Sequence, residues 1–204
     1  MSSKTWGPAL YPILFLFSLL AGGCLKQAPV PDYYTLSAAE QGAVSGTAYP
    51  YPVLVGPVRV ASLLERGHLV RQESAHGITL SETHRWAGDL PEMLTDALVS
   101  NLGHDLESER VHTFPVSSNL NGFQVELHFL HLEGDDAQQA HIAARWKIIS
   151  TVNQEILHAE TSSHRVKLEN NGYDELARGL SLGLSLISHD IADTLVSMQT
   201  LPAP

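Results

Sequence analysis

One cysteine, Cys24, occurs in 204 residues, so no disulfide can close within the chain and its stability must come from a packed core. Positive charge is also scarce. Twelve Lys and Arg face 22 Asp and Glu, a formal net charge of −10, and such a surface has little bulk attraction for nucleic acid or anionic head groups. No cysteine pair and no H-E-x-x-H run supplies metal ligands, and neither a phosphate-cradling glycine loop nor a dinucleotide fingerprint is present. We therefore expect no cofactor, no metal site and no nucleic-acid partner. Long hydrophobic runs are lacking too. The longest, Ala9 to Leu20, is interrupted by Tyr11-Pro12 and Ser18 and falls short of the roughly 20 residues a membrane-spanning helix needs.

That short run instead has the form of a signal-peptide core, with Lys4 as a weak positive flank. The small residues Ala21, Gly22 and Gly23 follow, and then Cys24, which resembles the lipidated cysteine of a bacterial lipoprotein. The usual pattern has Leu three positions before the cysteine; here Ala21 stands there and Leu20 one further back. Residues 1–23 are accordingly expected to be a lipoprotein signal peptide. Cleavage would leave 181 residues with 11 basic against 22 acidic side chains, enough for one domain with a real core. More than one acyl chain is needed for lasting attachment, each buried methylene contributing about 0.8 kcal/mol. Leu25 after the cysteine, rather than Asp, matches the enterobacterial sorting rule for the outer membrane.

Residues 24–50 are expected to form a lipidated flexible tether, with Pro29, Pro31, Gly42, Gly46 and Pro50 punctuating Ser, Ala and Gln. Within it Tyr33-Tyr34-Thr35-Leu36 is aromatic and β-prone, and reads either as a short strand packed on the domain or as a strand that docks a partner. The domain proper is placed at 51–200. Tyr51–Val60 predicts a buried strand with a bulge or edge at Gly56-Pro57. Leu63–Gly67 predicts a turn or short helix, and 68–73 with 78–81 a hairpin closed by Ala75-His76-Gly77. Asp89–Leu102 has helical spacing of apolar residues, Pro91 in its first turn and Gly103 as a left-handed stop. Val111–Phe114, Phe123–Phe129, Ile142–Ile148 and Ile156–Val166 predict strands, the middle two by strict alternation. Tyr173–Met198 predicts a long amphipathic helix. The economical fold is a single α+β domain, a mostly antiparallel sheet with two amphipathic helices packed on one face.

Three stretches invite a chemical reading. Gly179-Leu180-Ser181-Leu182-Gly183 matches the G-x-S-x-G of a hydrolase and precedes His189-Asp190, yet it falls inside a helical period where that motif needs a strand and a sharp turn. No enzyme is expected. His128 and His131, three apart on a strand, point to opposite faces unless a bulge intervenes. His84-Arg85-Trp86-Ala87 just before a helix is either a hydrophobic staple or a binding anchor.

The order and spacing of Cys24, Tyr33-Tyr34-Thr35-Leu36, Val55-Gly56-Pro57-Val58-Arg59-Val60, Leu69-Val70-Arg71, Arg85-Trp86-Ala87 and Arg145-Trp146 resemble the auxiliary lipoproteins of ABC-type transport systems, in particular the paraquat-inducible protein C group. Members of that group often read tyrosine-leucine-aspartate-arginine-proline where this chain has Leu63-Leu64-Glu65-Arg66-Gly67. The resemblance implies a non-catalytic outer-membrane component facing the periplasm. It would work with an MCE-domain tunnel protein and its inner-membrane transport complex to move lipid between membranes. It makes Tyr33, Tyr34, Arg66, Arg85 and Trp86 the candidate partner-binding residues. Because such tunnels are rings, it also implies a homo-oligomer around the tunnel tip. The competing readings are a lipid-binding carrier with an apolar cavity between sheet and helices, and a structural envelope lipoprotein.

Overall fold

The computed structural model describes residues 29–38, 48–116 and 120–199, and the fold below is that of the unit Pro31–Pro204. Cys24, the signal peptide and much of the expected tether lie outside the described residues.

The strands are β1 (Asp32–Tyr34), β2 (Val53–Val60), β3 (His68–Gln72), β4 (Ile78–Trp86), β5 (Val111–Thr113), β6 (Phe123–Asp135), β7 (Gln139–Ser150) and β8 (Ile156–Lys167), with helices α1 (Leu90–Asp105) and α2 (Tyr173–Gln199). They make one α+β domain around a single eight-stranded sheet. The alternating runs form the expected meander, β6, β7 and β8 pairing antiparallel along almost their whole length. The shorter strands join differently. On the other side of β6, β2 pairs parallel to its first half and β3 parallel to its end, and β5 and β1 add in parallel to β2 and β4. The sheet is therefore mixed: connections through the helical segments return the chain in the same direction, whereas tight turns reverse it.

Both helices pack on the sheet and against each other. Val125, Leu127, Phe129, Ile142, Ala144, Trp146 and Ile148 meet Leu94, Leu98, Leu102, Leu176, Leu180, Leu184, Ile187 and Ile191 in one continuous buried cluster. Asp89 caps α1, its side chain accepting from the Glu92 N–H at 3.1 Å. The stop expected at Gly103 is not used: α1 runs on to Asp105, because Leu106, 2% exposed, extends the apolar stripe of Leu98 and Leu102 by another turn. Similarly β4 continues past Ser81 to Trp86, through a polar run whose period the sequence does not display.

Two register shifts interrupt the ladders of β6. Gly56 takes φ +125°, a conformation closed to most side chains, and the β2–β6 register shifts between Val55 and Val58. A second shift between Phe129 and His131 is the bulge that turns His131 onto the face carrying His128, since these two pair with Ala143 and Arg145, which share a face of β7.

The start of α2 is held by a carboxylate. Arg178 donates to Glu175 from Nε (2.8 Å) and Nη2 (2.7 Å), and the Glu169 N–H donates at 2.8 Å. The Arg178 hydrogen bonds, then that of Glu169, pull the Glu175 carboxyl from 4.5 down to about 2. A lowered folded-state pKa stabilises the fold above the unfolded value, and that stabilisation is lost as pH falls through the folded one. The melting-temperature gap between the native chain and Glu175→Gln should thus be constant above about pH 5 and shrink steadily toward pH 2. Thermal melts across that range check it, and a gap indifferent to pH would contradict it.

Candidate functional site

The residues singled out in sequence meet at one corner of the sheet. β1 lies parallel to β4 with Asp32 opposite His84, Tyr33 opposite Arg85 and Tyr34 opposite Trp86, and the Ala87 N–H donates to the Tyr34 carbonyl at 2.8 Å. Leu64–Arg66 form a single 3-10 turn anchored by buried Leu64. Gly67, at φ +68°, then reverses the chain, and its carbonyl accepts the Trp86 N–H at 2.9 Å. Arg66 is thereby carried to the same corner, exposed.

Strand alternation sorts the side chains. Tyr34, His84 and Trp86 share the helix side, whereas Tyr33, 62% exposed, and Arg85 share the other. Trp86 is only 4% exposed and belongs to the core, so its ring offers a partner no surface. Tyr34 Oη is hydrogen-bonded to His84 Nδ1 at 2.9 Å, and Asp32 Oδ2 lies 3.6 Å from the same nitrogen. Burial, and then Asp32, raise the Tyr34 phenol above its ordinary value, so it stays protonated. The His84 ring stacks on Tyr173 at 4.0 Å, and the Arg71 guanidinium lies 4.7 Å over the other partner of that stack, the Tyr173 ring. This stack ties β1, β3 and β4 to the first turn of α2. The sequence singles out Tyr34 and, within its motif, His84; Arg71 and Tyr173 are about a hundred residues apart and share no local signal that would join them.

The outcome is a short strand at the end of the sheet, bordered by Tyr33, Arg85 and Arg66. Beside it lies a 350 Å³ groove between residues 33–37 and Asp174, Arg178 and Ser181 of α2. An edge strand with an exposed aromatic and guanidinium groups is suited to hydrogen-bonding and packing against another protein chain. It is not suited to hydrolysis. Ser181 sits within α2, its hydroxyl donating to the Ala177 carbonyl at 2.8 Å and accepting the Ser37 N–H at 3.3 Å. His189 is about 12 Å further along the axis at 1.5 Å per residue, and Asp190 is engaged by His164 at 2.8 Å. No helix among the described residues is long and apolar enough to cross a membrane.

A family model described as the ABC-type transport auxiliary lipoprotein component matches residues 34–192. No curated protein matches the chain in a sequence search. Among solved structures, an uncharacterised protein is similar at TM-score 0.67 and 22% identity, covering 81% of this chain and 99% of that one. Protein XCC0632 from Xanthomonas campestris is similar at TM-score 0.63 and 15% identity, covering 83% and 95%. A PelC dodecamer from Paraburkholderia phytofirmans is more distant, at TM-score 0.44 and 12% identity over 73% and 93%.

Proposed function

We propose that this chain, which belongs to the family of ABC-type transport auxiliary lipoprotein components, is anchored through Cys24 in the outer membrane and docks a periplasmic MCE-domain tunnel protein at the β1–β4 corner, as a non-catalytic part of a lipid transport system. The observation that carries the docking role is the outward pair Tyr33 and Arg85 on the terminal strand of the sheet. An exposed aromatic beside a guanidinium is the composition of binding hot spots. Anchoring raises the effective concentration of such an edge, so a modest interface suffices. The ring form of such tunnels favours several copies of this chain around one tip.

The layer between helices and sheet supports docking over carriage. Leu94, Leu98, Phe129, Ile142, Leu184 and Ile187 are each 0% exposed and belong to one cluster, filling the space that a carrier would reserve for its ligand.

The test is purification of the lipidated, C-terminally tagged chain from detergent-solubilised envelopes, followed by mass spectrometry. We expect an MCE-domain protein in stoichiometric amount. Recovery should fall at least about tenfold for the double variant Tyr33→Ala, Arg85→Glu, as for loss of a hot-spot pair. Both side chains are exposed, so the fold is retained. Undiminished recovery would refute the site, and absence of any MCE-domain protein would refute the role.

A further inference from the structure

On the sheet face turned away from the helices, the bulge after Phe129 brings three metal-ligating side chains together. His131 and Glu133 alternate on β6, and His141 stands directly opposite Glu133 on β7. His131 Nδ1 lies 2.7 Å from Glu133 Oε1, and His141 Nδ1 lies 3.3 Å from the same oxygen. One ligand atom from each residue falls within 4.8 Å of the others. The two imidazoles stack with centroids 4.5 Å apart and 25° between their planes. Tetrahedral zinc, with bonds of about 2.0 to 2.2 Å to nitrogen and oxygen, holds its ligand atoms roughly 3.3 Å apart, so the three can share one ion once the rings rotate to converge on it.

Burial gives this cluster its meaning. Glu133 is 6% exposed and His141 8%, and among the described residues no Lys or Arg forms an ion pair with Glu133. Buried His141 Nδ1 lies 3.3 Å from Glu133 Oε1 but off the line of a hydrogen bond, so the carboxylate meets it only as a neighbouring charge. Such a nitrogen is costly unless something binds it. The supporting contacts are those that orient metal ligands. Ser163 Oγ lies 3.1 Å from the other nitrogen of His141, and the Leu132 N–H donates to Glu133 Oε2 at 2.7 Å. The His131 side chain, 50% exposed, leaves a path for the ion and room for water as a fourth ligand. Arg165, opposite His141, is paired with Asp135 at 3.2 Å, which offsets its charge.

We propose that His131, Glu133 and His141 bind one divalent first-row transition-metal ion of the zinc type, clamping β6 to β7 on the open face of the sheet. Two imidazoles and a carboxylate are a donor set that zinc accepts. Nothing in the docking role requires this site, and its test is independent of it.

The experiment uses the full-length lipidated chain in detergent, purified without a polyhistidine tag, stripped with chelator and titrated with Zn²⁺. We expect one zinc per chain. His131→Ala should weaken binding at least about tenfold, and His128→Ala, on the same face outside the cluster, should leave it unchanged. Co²⁺ bound to the native chain should show the intense visible bands of a tetrahedral site with imidazole ligands, which keeps the test decisive should a variant misfold. Less than stoichiometric zinc, equal affinity in His131→Ala, or an octahedral cobalt spectrum would each overturn the proposal and leave a buried histidine–glutamate pair.

Discussion

Trp146→Ala is expected to lower the melting temperature by roughly 10 °C or more, the larger of the two greatest effects foreseen for this chain. The indole is 1% exposed and lies on the helix side of β7, in line with Ile142, Ala144 and Ile148. Its Nε1–H donates to Ser162 Oγ at 3.0 Å, and Ser162 is itself buried. Truncation removes the largest fully buried side chain and leaves a cavity, at a typical cost of about 3 to 5 kcal/mol. It also strands a buried hydroxyl, at about 1 to 3 kcal/mol more. Against a total stability of roughly 5 to 15 kcal/mol, this brings the domain close to unfolding. Trp146→Phe loses the hydrogen bond but retains most of the ring, and should fall between the two. Thermal melts of the three proteins check the order, and a Phe variant as unstable as the Ala variant would shift the weight from packing to the hydrogen bond.

Gly183→Leu should destabilise the fold by more than about 3 kcal/mol, beyond ordinary overpacking. At this position α2 rests directly on β7: a Cβ would collide with Cγ2 of Ile142 and touch Val166. Ile142 is 0% exposed and β-branched, with a restricted χ1 and close-packed neighbours, so it has little room to swing aside. Even Gly183→Ala, which in an open helix would stabilise by about 1 kcal/mol, should be destabilising here, because a steric cost of about 1 to 3 kcal/mol outweighs the propensity gain. Leu186→Ala on the exposed side of the same helix should remain within about 0.5 kcal/mol of the native chain. Chemical denaturation of the three variants reads this directly, and a stabilised Gly183→Ala would show that the helix can lift from the sheet at little cost.

The glycines of G-L-S-L-G are thus packing residues, as their helical setting indicates, and the serine between them bonds within its own helix. That reading was available from period alone, since Leu176, Leu180 and Leu184 keep the stripe running through the motif. The histidines were less transparent. Alternation put His128 and His131 on opposite faces, and the bulge that reverses this leaves no mark in the local sequence. His141, the third residue of the next strand, meets His131 and Glu133 only once the β6–β7 register is known.

Trp86 and Tyr33 show the same division. Sequence marked both as possible anchors, aromatic residues in short motifs, and the sheet then separated them by face: Tyr33 opposite Arg85 outside, Trp86 opposite Tyr34 within.

Sequence by itself determined the elements whose signal is local. The period-two runs became β6 and β7, the three-four stripes became α1 and α2, and the matching motifs indicated the auxiliary-lipoprotein family. Side-chain periodicity follows from backbone geometry, so it can be read wherever one face is buried. Only the tertiary structure decided which short strands run parallel, that β1 closes the sheet beside β4, and that His131, Glu133 and His141 converge. Those outcomes depend on register and on pairings between residues distant in the chain, and a shift of one residue would have sent each side chain to the opposite face.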